Sequence, residues 1–426
     1  MGWVLLTLGL IGLVHAVNAL APRKRPPVVF VWSFFASWLT IELVWHHLLF
    51  GIAISGVLIA GGALEETAGV AGATLMAITL VVLASIAWTT RRTVVSMRGA
   101  LAELDPGPDA PRFPRLHIAF PFLMGHRRGV KVRRNITFAR VGGKTLRLDV
   151  TVPSAPAPGG AALRPALMQI HGGGWVIGDK REQGLPLLGH MAAQGWVGFN
   201  VNYRLSPGVA FPDHLIDLKR GLAWIREHAA DFDVDPDFIC VTGGSAGGHL
   251  AALMALTQNE SHLQPGFEHA DTSLAAAVPF YGVYDFTPEG AFGADADMYR
   301  KFLEPVVMKA FLEEDPHKFR DASPVHHVHA GAPPFLVIHG DRDTLAPVED
   351  ARAFVERLRA VSAQPVVYAE MQGAQHAFEI FPSVRAARVI EGVERFLTTL
   401  WTSKICEPSR PNADRQVSQT LVGQRP

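Results

Sequence analysis

The stretch VTGGSAGGHL, residues 241–250, surrounds Ser245 with four glycines and an alanine. Small residues destabilise strands and helices alike, so this composition indicates a backbone that larger side chains would block. A strand-like run, Phe238–Thr242, precedes the serine, and a helix-like run, Ala246–Leu256, follows it. An abrupt strand-to-helix turn strains the residue at its apex and holds that side chain above the sheet. The pattern G-x-S-x-G therefore predicts a nucleophilic serine, although five residues also match by chance.

A second glycine-rich stretch, HGGGW at residues 171–175, follows the strand-like run Ala166–Ile170. Glycines leave backbone N–H groups unobstructed, so Gly172 and Gly173 can join Ala246 in holding a developing oxyanion. Each such donor is worth about 2.7–4 kcal/mol to the transition state. The two motifs in this order indicate acyl-transfer chemistry far more strongly than either motif alone.

Three further residues are assigned to the substrate site. Trp175 is expected to form a wall of the site, and Gly174 and Gly244, which belong to the same two motifs, are expected to contact the substrate. His249 follows the serine by one helical turn, so we expect it to shape the pocket or to pack.

A nucleophilic serine needs a base, and the base needs an orienting acid. The strand-like run Phe335–His339 leads into GDRDTLAP, and the run Val366–Ala369 leads into MQGAQHAF. His376 is the predicted base, because serine, acid and histidine follow one another in this order in one class of hydrolases. Asp343 is preferred to Asp341 as the acid, and Asp341 is then a turn residue.

Other acids and histidines are weaker candidates. Asp350 is a third choice for the acid and is expected on a helix surface. The histidines at 326, 327 and 329 could suggest a metal site, but no neighbouring carboxylate or cysteine accompanies them, and we predict no metal. The two cysteines, Cys240 and Cys406, are expected to be a core residue and a tail residue.

Strand-like and helix-like runs alternate from about residue 131 onward, which predicts a mostly parallel sheet flanked by helices. In such folds the active groups gather at the carboxyl ends of the strands. The predicted strands are Ile136–Ala139, Leu146–Val152, Ala166–Ile170, Val197–Asn202, Phe238–Thr242, Leu274–Phe280, Phe335–His339 and Val366–Ala369. The predicted helices include Leu215–Ala229, Ala246–Leu256 and Val348–Val361.

Residues 1–90 differ sharply in composition from the remainder. Their only charged residues are Arg23, Lys24, Arg25, Glu42, Glu65 and Glu66. Apolar stretches run over residues 2–20, 28–64 and 68–88, and a membrane span needs roughly 20 such residues. The second stretch is longer than one span requires, so it could be one span plus a re-entrant or interfacial piece, or two short spans broken at His46-His47. Three spans place both basic segments, residues 23–25 and 91–98, in the cytoplasm, as the positive-inside rule expects. Four spans would separate them, so we prefer three.

Two alternatives concern this region. Residues 1–21 could be a signal peptide, but the positive charges follow the apolar run instead of preceding it. Glu42, His46 and His47 could form a functional site within the membrane, or they could lie at its interface.

The chain therefore divides into four parts: a membrane region at 1–92, a juxtamembrane linker and possible cap at 93–130, a catalytic domain at 131–402 and a disordered tail at 403–426. Residues 282–330, together with 91–130, are expected to contribute to a substrate cap.

From Asn135 to Leu400 the chain resembles the α/β-hydrolase superfamily and, within it, the hormone-sensitive-lipase-like carboxylesterases. The matching segments are HGGGW at 171–175, NYRLSP at 202–207, Phe211-Pro212, Asp217, Trp224, Asp235-Pro236 and GGSAGG at 243–248. The resemblance implies an α/β-hydrolase fold and ester hydrolysis through an acyl-serine, with no metal or organic cofactor. The family usually has aspartate where this chain has Gly244, and often D-P-L where it has Asp343-Thr344-Leu345. With its N-terminal region, the chain looks like the membrane-anchored esterases of this family found in actinobacteria.

The sequence thus predicts a plasma-membrane serine carboxylesterase or lipase with a cytoplasmic catalytic domain and a lipophilic ester or lipid substrate. A formal net charge of zero gives no reason to expect a nucleic-acid partner. The same triad could instead cleave amides or peptides, or transfer an acyl group. An inactive membrane scaffold and a transporter or sensor are alternatives from other classes. The sequence leaves acyl chain length and oligomeric state open.

Overall fold

A computed structural model of the chain describes residues 1–23, 27–102, 104, 111–123, 127–292 and 299–406. The predicted tail from residue 407 onward lies outside the described residues, as do Lys24, Arg25 and most of the proline-rich stretch at 105–110.

Eight strands form a single sheet. They are β1 (Val130–Val141), β2 (Lys144–Pro153), β3 (Arg164–Ile170), β4 (Val197–Val201), β5 (Val234–Gly244), β6 (Ala276–Phe280), β7 (Phe335–Gly340) and β8 (Val366–Met371). Their spatial order is β1-β2-β4-β3-β5-β6-β7-β8. The pairs β1–β2 and β2–β4 are antiparallel, and every pair from β4 to β8 is parallel. All eight predicted strands are present, and the mostly parallel sheet is confirmed.

The helices are α1 (Gly2–Leu20), α2 (Pro27–Glu42), α3 (Val44–Ala60), α4 (Thr67–Ala100), α5 (Arg115–Ala119), α6 (Leu185–Ala193), α7 (Asp213–Glu227), α8 (Ala246–Leu256), α9 (Pro316–Asp321), α10 (Val348–Val361) and α11 (Val384–Cys406), together with a π-helical segment, Tyr299–Met308. Short 3₁₀ turns lie at Ala63–Glu65, Pro121–Leu123, Pro158–Gly160, Ala229–Phe232, Ser261–Leu263 and Pro324–His326. Because α11 continues to Cys406, the catalytic domain extends beyond the predicted end at residue 402.

Helices cover both faces of the sheet. Successive residues of β5 point to opposite faces, so Val241 packs with Leu250 of α8 in one core. Cys240 packs with Met191 of α6 and Phe396 of α11 in the other. Strands buried on both sides need apolar side chains at almost every position, which is why these runs were visible in the sequence.

The apolar N-terminal region folds into four helices. α1 and α4 run parallel, with Gly2 against Gly69, Gly9 against Gly72 and Gly12 against Thr79. α3 runs in the opposite direction, since Gly51 approaches Leu80 while Trp45 lies under the Arg91 guanidinium. α1 with 19 residues and α4 with 34 are long and apolar enough to cross a membrane; α2 and α3, bent by 82°, make a third candidate if counted as one span.

The fourth helix crosses a predicted boundary. At about 1.5 Å per residue, α4 is about 51 Å long and exceeds the roughly 30 Å hydrocarbon layer of a bilayer. Its last turns reach the α/β domain, where Met97 packs against Gly392 of α11. The predicted change from membrane region to linker at residue 92 therefore falls inside one continuous helix.

Candidate active site

Ser245 lies at the abrupt turn between β5 and α8. Its backbone has φ 59° and ψ −123°, a strained conformation for a residue other than glycine. The switch point of the sheet is adjacent, because β3 pairs with β4 on one side and β5 on the other. Ile170 lies beside Gly243 in this register, so the HGGGW loop and the serine emerge together at the carboxyl ends of neighbouring strands.

The small residues around the serine are explained by close backbone approaches. A Cβ added at Gly247 would lie 2.2 Å from the carbonyl oxygen of Ile170, and one at Gly243 would lie 2.5 Å from that of Gly247. Real Cβ atoms do not approach backbone oxygens this closely. Strand β3, strand β5 and helix α8 can therefore pass one another only with glycine at these positions.

The structure brings the predicted acid and base together. Nδ1 of His376 lies 2.7 Å from Oδ2 of Asp343, and His376 lines the same cavity as Ser245. Oδ1 of Asp343 accepts hydrogen bonds from the N–H groups of Leu345 and Ala346, both at 2.8 Å. Burial alone would raise the pKa of Asp343, but His376 and His339 outweigh it and hold that pKa well below its usual range. Asp343 is thus a buried, ionised partner for the histidine.

The two other candidate acids have different contacts. Asp341 accepts a hydrogen bond from the N–H of Gly373 at 2.6 Å, which is the role of a turn residue. Asp350 is buried, contrary to the expectation of a helix-surface position. Its carboxylate accepts from the N–H groups of Ala291 and Phe292 at 2.6 and 3.0 Å. Asp350 therefore fixes a loop whose Phe292 lines the cavity.

One residue of the predicted oxyanion hole, Gly172, uses its N–H group for another contact. The N–H of Gly172 already donates to Oε1 of Gln183 at 2.6 Å. Gly173, with φ 117°, lines the cavity, and Ala246 begins α8, so its N–H has no partner within the helix. We therefore expect Gly173 and Ala246 to be the oxyanion donors, because the N–H of Gly172 is already hydrogen-bonded to Gln183.

The predicted wall residue Trp175 is held by a histidine. Its indole N–H donates to Nδ1 of His249 at 3.2 Å, and Nε2 of His249 lies 2.7 Å from the carbonyl oxygen of Ala322. An indole only donates, so His249 is neutral and carries its proton on Nε2. Burial lowers the pKa of His249 to about 3. His249 positions the wall, in agreement with the pocket-shaping role expected for it.

Gly244 does not line the cavity, contrary to its predicted contact with substrate. A Cβ at this position would lie 2.7 Å from the hydroxyl oxygen of Tyr281. The Tyr281 ring lies 4.5 Å from the His376 ring, and its hydroxyl donates to the carboxyl group of Glu379. Tyr281 and Glu379 thus occupy the space beside the histidine that a side chain at residue 244 would need.

Glu379 gives the stability of the protein a pH dependence. Burial raises its pKa to about 7 in the folded chain, whereas the unfolded value is about 4.3. Between these two pH values the carboxyl group of Glu379 is ionised in the unfolded chain but not in the folded chain. The free energy of unfolding therefore falls as the pH rises. The penalty approaches roughly 4 kcal/mol above pH 7, since the two pKa values differ by about 2.7 units and one unit corresponds to about 1.4 kcal/mol.

We therefore expect Glu379→Gln to reduce the fall in thermal unfolding temperature between pH 5 and pH 8. Unfolding would be followed in detergent micelles, with Glu356→Gln, an exposed position on α10, as the control. Parallel pH profiles of wild type and Glu379→Gln would contradict this assignment.

A cavity of about 410 Å³ opens beside Ser245. Its lining includes the predicted residues Gly173, Gly174, Trp175 and His376. Phe292 and Phe302 come from the predicted cap at 282–330, although residues 293–298 are not described. No described residue of 91–130 lines the cavity, in contrast to the predicted cap. Phe34 and Phe35 of α2 line it instead.

The histidines at 326, 327 and 329 are the place where the sequence could suggest a metal site. Among the residues with described positions, no group of three or more His, Cys, Asp or Glu side chains could hold a metal ion. His326, His327 and His329 therefore have no shared ligand arrangement in this part of the chain.

Comparisons with known proteins find ester hydrolases among the proteins that this chain resembles. The BD-FAE family model matches residues 148–358. The chain is 51% identical over 240 residues to a probable carboxylic ester hydrolase, LipM, and 44% identical over 276 residues to the esterase LipQ, both from Mycobacterium tuberculosis. These matches cover 56% and 65% of this chain, and 55% and 64% of the two relatives. The chain thus spans less than two thirds of the length of these relatives.

A solved structure is similar over most of its length. A thermophilic esterase from Thermogutta terrifontis matches with a TM-score of 0.52 and 27% identity, covering 67% of this chain and 95% of the esterase.

Proposed function

The chain belongs to the α/β-hydrolase superfamily, among the hormone-sensitive-lipase-like carboxylesterases, and we propose that it is a serine carboxylic ester hydrolase anchored in a membrane. The observation that carries this proposal is the placement of Ser245 on a strained turn, in one cavity with a histidine that is bonded to a buried aspartate. The esterase relatives support the substrate class.

The proposed reaction begins when Oγ of Ser245 attacks the ester carbonyl carbon. Since Nδ1 of His376 is bonded to Asp343, Nε2 is the nitrogen that accepts the serine proton. The N–H groups of Gly173 and Ala246 stabilise the negative charge that develops on the carbonyl oxygen. Collapse of the tetrahedral intermediate breaks the ester C–O bond, and His376 gives its proton to the departing alkoxide.

The second half of the reaction uses the same groups. Water loses a proton to His376 and adds to the acyl-serine carbonyl. Collapse of this second intermediate releases the carboxylic acid, and the proton returns to Oγ of Ser245. His376 ends in the state in which it began, so the cycle needs no cofactor.

We propose that α1, α3 and α4 cross the membrane. α3 has 17 residues, within the roughly 17–25 that a span requires. Arg23, Arg91 and Arg92 follow the ends of α1 and the apolar part of α4, while Glu65 and Glu66 lie at the opposite end of the bundle. The positive-inside rule then places the catalytic domain in the cytoplasm.

Substrate preference is the direct test of the proposed activity. We expect the detergent-purified chain to hydrolyse p-nitrophenyl esters, with kcat/KM higher for octanoyl than for acetyl, because the cavity is lined mainly by apolar side chains. Matched p-nitroanilides of the same acids serve as controls and should react at least about 100-fold more slowly. Faster cleavage of the anilides would instead indicate an amidase, and inactivity on every ester would overturn the proposal.

A further inference from the structure

Helix α2 is attached to the loop that carries the catalytic histidine. The indole N–H of Trp38 donates to the carbonyl oxygen of Ala377 at 2.9 Å, and its ring stacks on Phe381 at 4.8 Å. Glu42 forms a fully buried ion pair with Arg385 at 3.0 Å. These contacts join residues more than 300 positions apart, so α2 is a built part of the α/β domain and not only a connection between membrane helices.

The contacts of the Glu42 carboxylate indicate a structural role for this residue. Its second oxygen accepts a hydrogen bond from the hydroxyl of Ser383 at 2.7 Å. With both oxygens occupied, Glu42 fastens α2 to the start of α11. The alternative of a functional site formed by Glu42 within the membrane loses its support.

The same helix forms a wall of the cavity at Ser245. Phe34 and Phe35 line it, and the Phe34 ring lies 6.5 Å from the His376 ring. Ile177, in the loop that follows HGGGW, lines the same cavity. Helix α2 thus faces the position where an ester would react.

The mouth of this cavity is apolar. Phe35 and Ile177 line the cavity and yet are 51% and 68% exposed. Val31 and Leu39 are also exposed, and positions 31, 35 and 39 follow one another at four-residue spacing on one face of the helix. A stripe of this kind is unfavourable in water and suits contact with a membrane.

The arrangement of the spans places this stripe at the membrane. The chain leaves α1 at Leu20, enters α3 at Val44 and passes Trp45 beside Arg91, so these three points lie at the same end of the bundle. α2 connects α1 to α3 at that end and is bent by 82° from α3. It therefore runs across the end of the bundle, at the level where the bilayer meets the cytoplasm.

A second segment is exposed at the same level. Nε2 of His46, near the start of α3, lies 3.1 Å from the carbonyl oxygen of Ala119. The neighbouring side chains of Leu116, Phe120 and Phe122 are all exposed. Aromatic and aliphatic residues thus flank the cavity-bearing domain where it meets the spans.

We propose that α2 lies in the membrane interface and that the opening between Phe35 and Ile177 admits a long-chain carboxylic ester directly from the bilayer to Ser245. This inference rests on the proposed function, since it names the substrate and route of that site. The outer stripe of α2 contacts the acyl chains of the membrane, and its inner face holds the substrate beside His376.

The first test compares two substrates in phosphatidylcholine vesicles that contain the full chain. One is a long-chain diacyl ester dissolved in the bilayer, and the other is water-soluble p-nitrophenyl acetate. We expect Leu39→Asp and Ile177→Asp each to lower the ratio of long-chain to acetate kcat/KM by about 10-fold, because carboxylates are unfavourable at membrane depth. Val361→Asp, at an exposed valine on α10, should keep the wild-type ratio.

A second readout does not depend on activity. In a Cys406→Ser background, a fluorophore on Val31→Cys should be quenched by brominated acyl chains, and one on Val361→Cys should not. Equal quenching at the two positions, or an unchanged substrate ratio in both aspartate variants, would overturn this inference. Absence of Ser245-dependent acetate hydrolysis, with quenching retained at residue 31, would instead overturn the proposed function and support the placement of α2.

Discussion

Replacing Ser245 with alanine is expected to lower kcat by about 10⁴–10⁶-fold, because the covalent route disappears while binding and the oxyanion donors remain. The alanine keeps the Cβ at this strained position, so the backbone at the turn need not change. The loss should therefore come without a change in thermal unfolding temperature. Initial rates on p-nitrophenyl butyrate would measure the effect.

Ser403→Ala is the matched control, since Ser403 is exposed and its hydroxyl only donates to the Thr399 carbonyl within α11. That variant should keep the wild-type rate. If Ser245→Ala retained more than a tenth of the wild-type rate, another nucleophile would carry the reaction.

Asp343→Asn should lower kcat by about 10⁴-fold, the scale seen when a triad aspartate loses its charge. Oδ1 of Asp343 accepts from two backbone N–H groups, so an asparagine oxygen would stay there. Its NH₂ group would then face Nδ1 of His376. The histidine would have to accept at Nδ1 and carry its proton on Nε2, where it can no longer take one from Ser245.

Asp341→Asn provides the comparison two residues away. Asp341 accepts from one N–H, that of Gly373, and an asparagine oxygen can accept the same bond. We expect this variant to stay within about 3-fold of wild type. A large loss of kcat in Asp341→Asn, together with a small loss in Asp343→Asn, would instead make Asp341 the catalytic acid and Asp343 the turn residue.

Local patterns were enough to predict the sheet, and they pointed to the three residues that we propose for catalysis. Strand β7 and the second half of β5, from Phe238 onward, are buried on both faces, and their sequences are mainly apolar. Ser245 follows β5 directly, and Asp343 and His376 lie in the loops that follow β7 and β8, which made their meeting at one edge predictable. The preference for Asp343 over Asp341 came from the loop sequence, and the bond to His376 agrees with it.

The features that sequence reasoning missed depend on contacts between distant residues. The side chain of Gln183 accepts a hydrogen bond from the N–H of Gly172. Tyr281, which is hydrogen-bonded to Glu379, fills the space beside Gly244. Neither contact has a local pattern. The glycine at 244 was itself a signal, because it departs from the family's usual aspartate, but it did not reveal which side chain takes the space.

In the N-terminal region, too, the features that the sequence did not reveal depend on contacts with distant residues. Its apolar composition predicted contact with a membrane but could not separate a helix that spans from one that lies against the α/β domain. The bend after Glu42 and the pairing of Glu42 with Arg385 distinguish α2 from α3. Phe34 and Phe35 then appear as pocket residues, although their sequence is indistinguishable from that of a span.

The most direct test of a serine hydrolase is to identify the residue that reacts. The full chain would be treated with a fluorophosphonate, digested and examined by tandem mass spectrometry, with an ester present in a parallel sample as competitor. We expect one phosphonyl adduct, on Ser245, and we expect it to decrease when the ester is present. An adduct on a different residue, or no adduct on a preparation that hydrolyses esters, would contradict it.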